Sequence, residues 1–147
     1  RAHHHPGHHH HHLVFEVGAT DYVITGDNIF AGNLTPPQVR FGADGTRIAE
    51  LPRLLNSLRQ LAQIGGHGLP SHGPELPDLN RRAHAVVAAY ERTAQRVTRA
   101  LDEAGAPPSL ETLLQRVFGD VPLSFVGLRL GFLLGYADLV GAGDHYL

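Results

Sequence analysis

The chain has no cysteine, no lysine and no methionine among its 147 residues. Without cysteine there is no disulfide framework, iron–sulfur site, cysteine zinc knuckle or thiol nucleophile. Nothing therefore calls for an oxidising compartment. Without lysine, all 12 basic residues are arginine, set against 14 acidic residues for a formal net charge of −2. That balance argues against a globally basic nucleic-acid binder and leaves only a local patch open. Methionine is missing even at position 1, so the chain is expected to be processed, tagged or cut from something longer.

Long apolar runs are lacking too. The N-terminus has no stretch like the roughly 7–15 apolar residues of a secretory signal. The most apolar segment, Val121 to Val140, is interrupted by Arg129 and Asp138, whereas a membrane span needs about 20 mostly apolar residues. A soluble, cytoplasmic protein with no membrane partner is expected. Hydrophobic residues make up 42% of the chain and charged residues 18%, enough apolar material for one domain with a packed core.

Histidine is abundant. Eight of the 12 histidines lie in residues 1–12, a low-complexity segment. Two readings are open for it: a purification tag or disordered metal-binding tail, or a piece of the fold. The second draws on Pro6-Gly7, which interrupts the run, and on the direct passage into the apolar stretch Leu13-Val14-Phe15-Glu16-Val17.

That stretch and Tyr22-Val23-Ile24-Thr25 read as a hairpin around Gly18-Ala19-Thr20-Asp21. Residues from Ala31 to Thr46, with Pro36-Pro37, read as a long irregular loop, of the kind that often carries function. Leu51, Leu54, Leu55, Leu58, Leu61 and Ile64 predict an amphipathic helix over about 48–64, stopped by Gly65-Gly66. A longer helix follows over about 78–104, and Ser109 is placed to cap a short one. A last helix is expected over about 123–140. Leu110, Leu113, Leu114, Val117, Phe118, Phe125, Leu128, Phe132 and Tyr136 are expected to form one small core packed on the main domain.

Three potential metal ligands stand in turns bordered by glycine: Pro6-Gly7-His8, Gly26-Asp27 and Ser71-His72-Gly73. Small neighbours let the chain bend so that a side chain projects from a strand end into a shared cleft. Imidazole nitrogen and carboxylate oxygen are ordinary zinc ligands, and a carboxylate can bridge two ions. The plainer alternatives stay open: Asp27 as a turn-former and His72 as a surface loop histidine.

The order of these pieces resembles the second half of the metallo-β-lactamase fold, closest to glyoxalase II-like and β-lactamase-like hydrolases with a C-terminal winged-helix extension. His4-His5-Pro6-Gly7-His8-His9 stands where that family has His-Thr-Pro-Gly-His-Thr. Gly26-Asp27 matches its Gly-Asp, Pro70-Ser71-His72-Gly73 its Pro-Gly-His-Gly, and His12 a histidine at the start of the next strand. The resemblance implies His8, Asp27 and His72 as metal ligands, with Asp27 bridging and catalytic. His67 is a competing candidate for the last ligand, less well framed by proline and glycine. The family's first motifs, above all His-x-His-x-Asp-His, are absent from this chain.

The fold class implied is α/β. Residues 1–12 overlap the third metal motif, residues 13–104 form the C-terminal half of an αββα sandwich, and residues 105–147 form a winged-helix-like unit. Half of such a fold leaves the inner face of its sheet unburied. The function implied is metal-dependent hydrolysis, a metal-activated water attacking a small-molecule ester or thioester. Zinc is the expected ion, with manganese, iron or nickel as alternatives. Asn28, Asn33 and Thr35 are candidate substrate-binding residues. A homodimer or a missing N-terminal half is the expected partner. The rival is a nucleic-acid-binding or RNA-cleaving member of the same fold: the helix from Leu79 to Arg99 carries five arginines against Glu91, and basic faces neutralise phosphates. A third reading is a non-enzymatic chain whose metal sits only in the histidine tract.

Overall fold

Alternation of inward and outward side chains organises the N-terminal part of the computed structural model, which describes residues 1–146. Strands β1 (Ala2–His4), β2 (Leu13–Glu16), β3 (Tyr22–Gly26) and β6 (His67–Pro70) form one sheet in the order β1-β2-β3-β6. The first three pair antiparallel, and β6 runs parallel to β3 with a register shift between Ile24 and Gly26. Val14, Val23 and Thr25 point into the core. Leu13, Phe15, Tyr22 and Ile24 alternate with them and stand 46%, 42%, 40% and 45% exposed on the other face. A sheet face that apolar is one built to be covered, and it matches the expectation of half a sandwich.

Helices α1 (Glu50–Ile64) and α2 (Leu79–Asp102) cover the opposite face of the sheet, the one that carries Val14 and Val23. Leu51, Leu54, Leu58 and Leu61 of α1 are fully buried, as are Leu79, Ala83, Tyr90 and Val97 of α2. This is the stripe that helical spacing predicts. Asp78 caps α2 by accepting a bond from the Arg81 amide, and Ser109 caps α3 (Leu110–Phe118) through the Thr112 amide. A 3-10 turn over Leu123–Phe125 leads into α4 (Val126–Leu139), and a second lies over Gly143–Tyr146. No strand follows α4 among the described residues, and Leu147 lies outside them. Among the described residues no single helix is long and apolar enough to cross a membrane.

The loop expected over residues 31–46 contains β4 (Arg40–Phe41), which pairs with β5 (Arg47–Ile48) immediately after it to form a two-stranded ribbon. Two-residue strands give no periodic signal. The ribbon is nevertheless anchored by charge. Arg40 Nε donates to the buried Glu50 carboxylate at 2.7 Å, and Arg47 Nη2 donates to Asp138 Oδ1 at 2.6 Å and to the Gly143 carbonyl at 2.9 Å. The Arg47 contacts fasten α4 to the rest of the domain.

The histidine tract is built into the fold. His5 is 1% exposed, its Nδ1 lies 3.1 Å from the Ser57 carbonyl, and the Ser57 hydroxyl donates to the Pro6 carbonyl at 2.7 Å. Burial, reinforced by neighbouring His3, pushes the His5 imidazole down to about 4. In the unfolded chain His5 takes a proton near its ordinary value of about 6.5, while the folded chain resists it until about 4. The unfolded state therefore binds more protons across that window, and stability falls as pH drops through it, by about 3 kcal/mol in all. Urea unfolding at pH 7.5 and pH 4 should show this loss, and His5→Gln should reduce the pH slope by about one proton.

Candidate metal centre

His8, Asp27 and His72 come together at one end of the sheet, each delivered by a turn at a strand end. Gly7 sits at φ +129°, where a side chain would run into the backbone of Leu54 on α1. Only glycine lets the chain pass that close and swing His8 outward. Its carbonyl accepts the Gln38 amide at 2.8 Å, which ties the turn to the following loop. Gly26, at φ +54°, presents Asp27 from the end of β3, and a Cβ there would lie 2.9 Å from His12 Nε2. The turn after β6 carries His72, with the Ser71 amide donating to the Gly26 carbonyl at 3.0 Å.

The Asp27 carboxylate faces both histidines. Its Oδ2 is 3.7 Å from His8 Nε2 and its Oδ1 is 3.5 Å from His72 Nε2. His8 Nδ1 lies 2.9 Å from the Pro36 carbonyl. A carbonyl can only accept, so this bond holds the proton on Nδ1 and leaves the Nε2 lone pair toward Asp27, the arrangement that orients metal-binding imidazoles. Asp27 Oδ1 is buried and has no hydrogen-bond partner. A buried acceptor left unpaired is costly, and a cation would satisfy it.

The donor set therefore suits divalent ions, with one imidazole for each carboxylate oxygen. It does not amount to a closed cage: among the described residues no three His, Asp or Glu side chains converge so as to hold one ion. Beside the carboxylate, His12 Nε2 accepts the Asp27 amide at 3.2 Å. Burial, with His8 nearby, keeps the His12 imidazole below its ordinary value and hence neutral, as an acceptor must be.

Other candidates separate. His67 pairs with Glu75 at 2.7 Å on the surface and lies opposite Tyr22, at the other end of β3 from Gly26-Asp27. Asn33 is exposed beside the cavity that His72 also lines. Asn28 and Thr35 are not where a substrate reaches. Asn28 is fully buried and donates to the His5 carbonyl at 2.8 Å, and the buried Thr35 offers its carbonyl to the Tyr90 hydroxyl. Asn28 bonds inward through its side-chain amide, whereas Thr35 does so through its backbone carbonyl alone, its hydroxyl being buried without a partner. Burial pushes the Tyr90 hydroxyl well up, so it stays a donor.

Two of the five α2 arginines also have inward tasks. Arg82 donates to the Phe30 carbonyl at 2.7 Å and to that of Asn33, while Arg96 donates to the Val117 carbonyl. Phe125 and Leu128, expected in the core, are instead 53% and 44% exposed. The 3-10 turn before α4 sets their phase, and they line the cavity beside His72.

Sequence reasoning did not find the supporting carbonyls of Pro36 and Ser57, because a backbone acceptor leaves no mark in residue type. Nor did it find Arg82 as the clamp of the 30–33 segment.

Solved structures share the fold of this chain. A metallo-beta-lactamase family protein of Thermus thermophilus superposes with a TM-score of 0.75 at 22% identity, over 97% of this chain and 44% of that one. A beta-lactamase domain protein from Burkholderia ambifaria gives 0.73 at 21% identity, over 93% and 41%. The chain thus spans less than half the length of either, and at such identity the likeness is one of fold. No curated protein matches the chain. The family model of the metallo-beta-lactamase superfamily matches residues 1–100, well over half of the sequence. By that match, and by the fold expected from its motifs, the chain belongs to the metallo-beta-lactamase superfamily.

Proposed function

We propose that this chain supplies part of the metal centre of a hydrolase acting on an ester or thioester, as in the glyoxalase II-like members it resembles. The observation that carries the reading is one carboxylate facing two imidazoles through its two oxygens, at 3.7 and 3.5 Å. Divalent ions, zinc foremost, supply Lewis-acid polarisation and a lowered pKa for bound water when such a centre is filled. His8 and His72 would each hold one position and Asp27 would bridge them. The Pro36 carbonyl keeps His8 in the right tautomer, and His12 fixes the Asp27 backbone. Two protein donors per position are fewer than the three of ordinary catalytic zinc. The remaining donors would come from polypeptide outside residues 1–146.

Zinc titration followed by proton–nitrogen NMR of the imidazoles tests this assignment. The expected result is that His8 Nε2 and His72 Nε2 shift together as zinc is added, whatever happens at the exposed histidines. Shifts confined to His9, His10 and His11 would overturn it in favour of a chain that binds metal only through its histidine tract.

A further inference from the structure

A cavity of about 700 Å³ opens beside His72. Its walls are Phe30 and Leu34 from the segment after β3, with Phe125, Leu128 and Phe132 from the turn and helix that close the C-terminal unit. Phe125 and Leu128 remain about half exposed. Large apolar side chains held open around a concavity of this size mark a ligand site. His72 belongs to both places: its Nε2 faces Asp27 at 3.5 Å and its ring meets Phe30 edge-on at 5.7 Å.

The cavity is also preformed. Arg82 holds the carbonyls of Phe30 and Asn33, Tyr90 holds that of Thr35, and Arg47 holds α4 through Asp138. Its one permanently charged lining residue is Arg129, whose guanidinium stacks 5.2 Å over the Phe118 ring. An apolar channel ending at a metal-facing imidazole, with a single fixed cation, is complementary to an apolar chain on an anion.

We infer that this cavity binds the medium-length, apolar acyl chain of a negatively charged ester or thioester, with the acyl carbon directed toward His72 and Asp27. The inference rests on the hydrolase reading and names its substrate class. In the reaction water adds to the acyl carbon, the carbon–oxygen or carbon–sulfur bond breaks, the leaving alcohol or thiol takes one proton of that water, and the chain departs as a carboxylate with the second proton released to solvent. That product is itself a ligand for the cavity, so binding can be read without turnover.

Calorimetric titration of butanoate, hexanoate, octanoate and decanoate into the metal-free chain reads the cavity alone. Affinity should rise roughly fourfold for each added methylene until the cavity is filled. The Phe125→Ala, Leu128→Ala double variant should flatten that rise to less than twofold, with an unchanged melting temperature because both side chains are already half exposed. Arg129→Gln should weaken octanoate by about two- to fivefold and leave octanol unaffected.

No dependence on chain length, or a dependence untouched by the double variant, would overturn the inference. Hydrolysis separates the two claims. Zinc-loaded protein, supplied with its remaining donors, should cleave an octanoyl thioester faster than an acetyl one. Cleavage of both at equal rates overturns the acyl cavity and leaves the hydrolase reading standing. Length-dependent binding with no cleavage of either overturns the substrate assignment and the hydrolase reading together.

Discussion

Gly7→Ala should cost about 4 kcal/mol or more, bringing the chain close to its unfolding threshold at room temperature. Two separate penalties meet at this position. At φ +129° the backbone is in a region that alanine avoids, worth on the order of 1–3 kcal/mol. The added Cβ would also lie 2.4–2.5 Å from the Cα, N and Cβ of Leu54, a fully buried residue in the first half of α1. Backbone cannot rotate away as a side-chain tip can, so either the helix or the turn must shift, and packed interiors resist this.

Urea midpoints of Gly7→Ala and Gly18→Ala make the comparison clean. Gly18 also has a positive φ, +49°, and a Cβ there meets nothing within 4 Å. It should cost only about 1–2 kcal/mol. Equal losses at the two positions would show that the contact with Leu54 contributes nothing. Because His8 follows Gly7 directly, a folded Gly7→Ala chain should also lose the zinc response of His8 while keeping that of His72.

Asp27→Asn should abolish the zinc response of both His8 and His72 at once. A single carboxylate serves the two histidines through different oxygens, and an amide offers one weaker oxygen and no charge. The fall in affinity should exceed the roughly 10–100-fold that follows loss of a group merely orienting a ligand. His72→Ala, by contrast, should silence one position and leave His8 responding. Stability of the metal-free chain should move little or rise with Asp27→Asn. The wild-type Oδ1 is buried without a donor, so the substitution removes an unsatisfied acceptor rather than a bond. Urea midpoints and the imidazole spectra read these two effects independently. A destabilised variant that still binds zinc at both histidines would assign Asp27 a structural role.

Much of the scaffold was legible because it repeats. Leucines at three- and four-residue spacing marked α1, Asp78 and Ser109 marked helix starts, and alternation marked β2 and β3. His8, Asp27 and His72 were singled out because glycine beside a polar residue signals a turn that can project it. What stayed hidden is instructive in kind. The helix α4 is apolar around most of its girth, with Val126, Leu128, Leu130, Phe132, Leu133 and Leu134, so no stripe distinguishes the packed face from the cavity face. Asn28 and Thr35 look like ligand-binding residues by type, and only the folded chain shows that both side chains are buried. In the histidine tract, residue identity carries no information at all. His5 is buried, His8 faces Asp27 and His11 is exposed, and their difference arises wholly from β1 pairing with β2 and from Gly7 against α1.

That uniformity has a consequence for how the segment can vary through descent. The strands are joined across the loop by the His5 amide on the His12 carbonyl, and the turn closes with the His12 amide on the His9 carbonyl. Between these fixed points His9, His10 and His11 stack on one another near the surface. Repeated identical residues are prone to gain or lose a unit, and exposed loop tips absorb such changes. A histidine inserted among residues 9–11 enlarges the turn and leaves Gly7, His8 and His12 in place. One inserted before Pro6 leaves a histidine in the buried pocket and beside each β2 partner nearest the loop, and moves only Arg1 and Ala2 one place along the strand. The same letter added to the same run is thus absorbed at the loop tip on one side of Pro6-Gly7 and at the first two residues of the chain on the other.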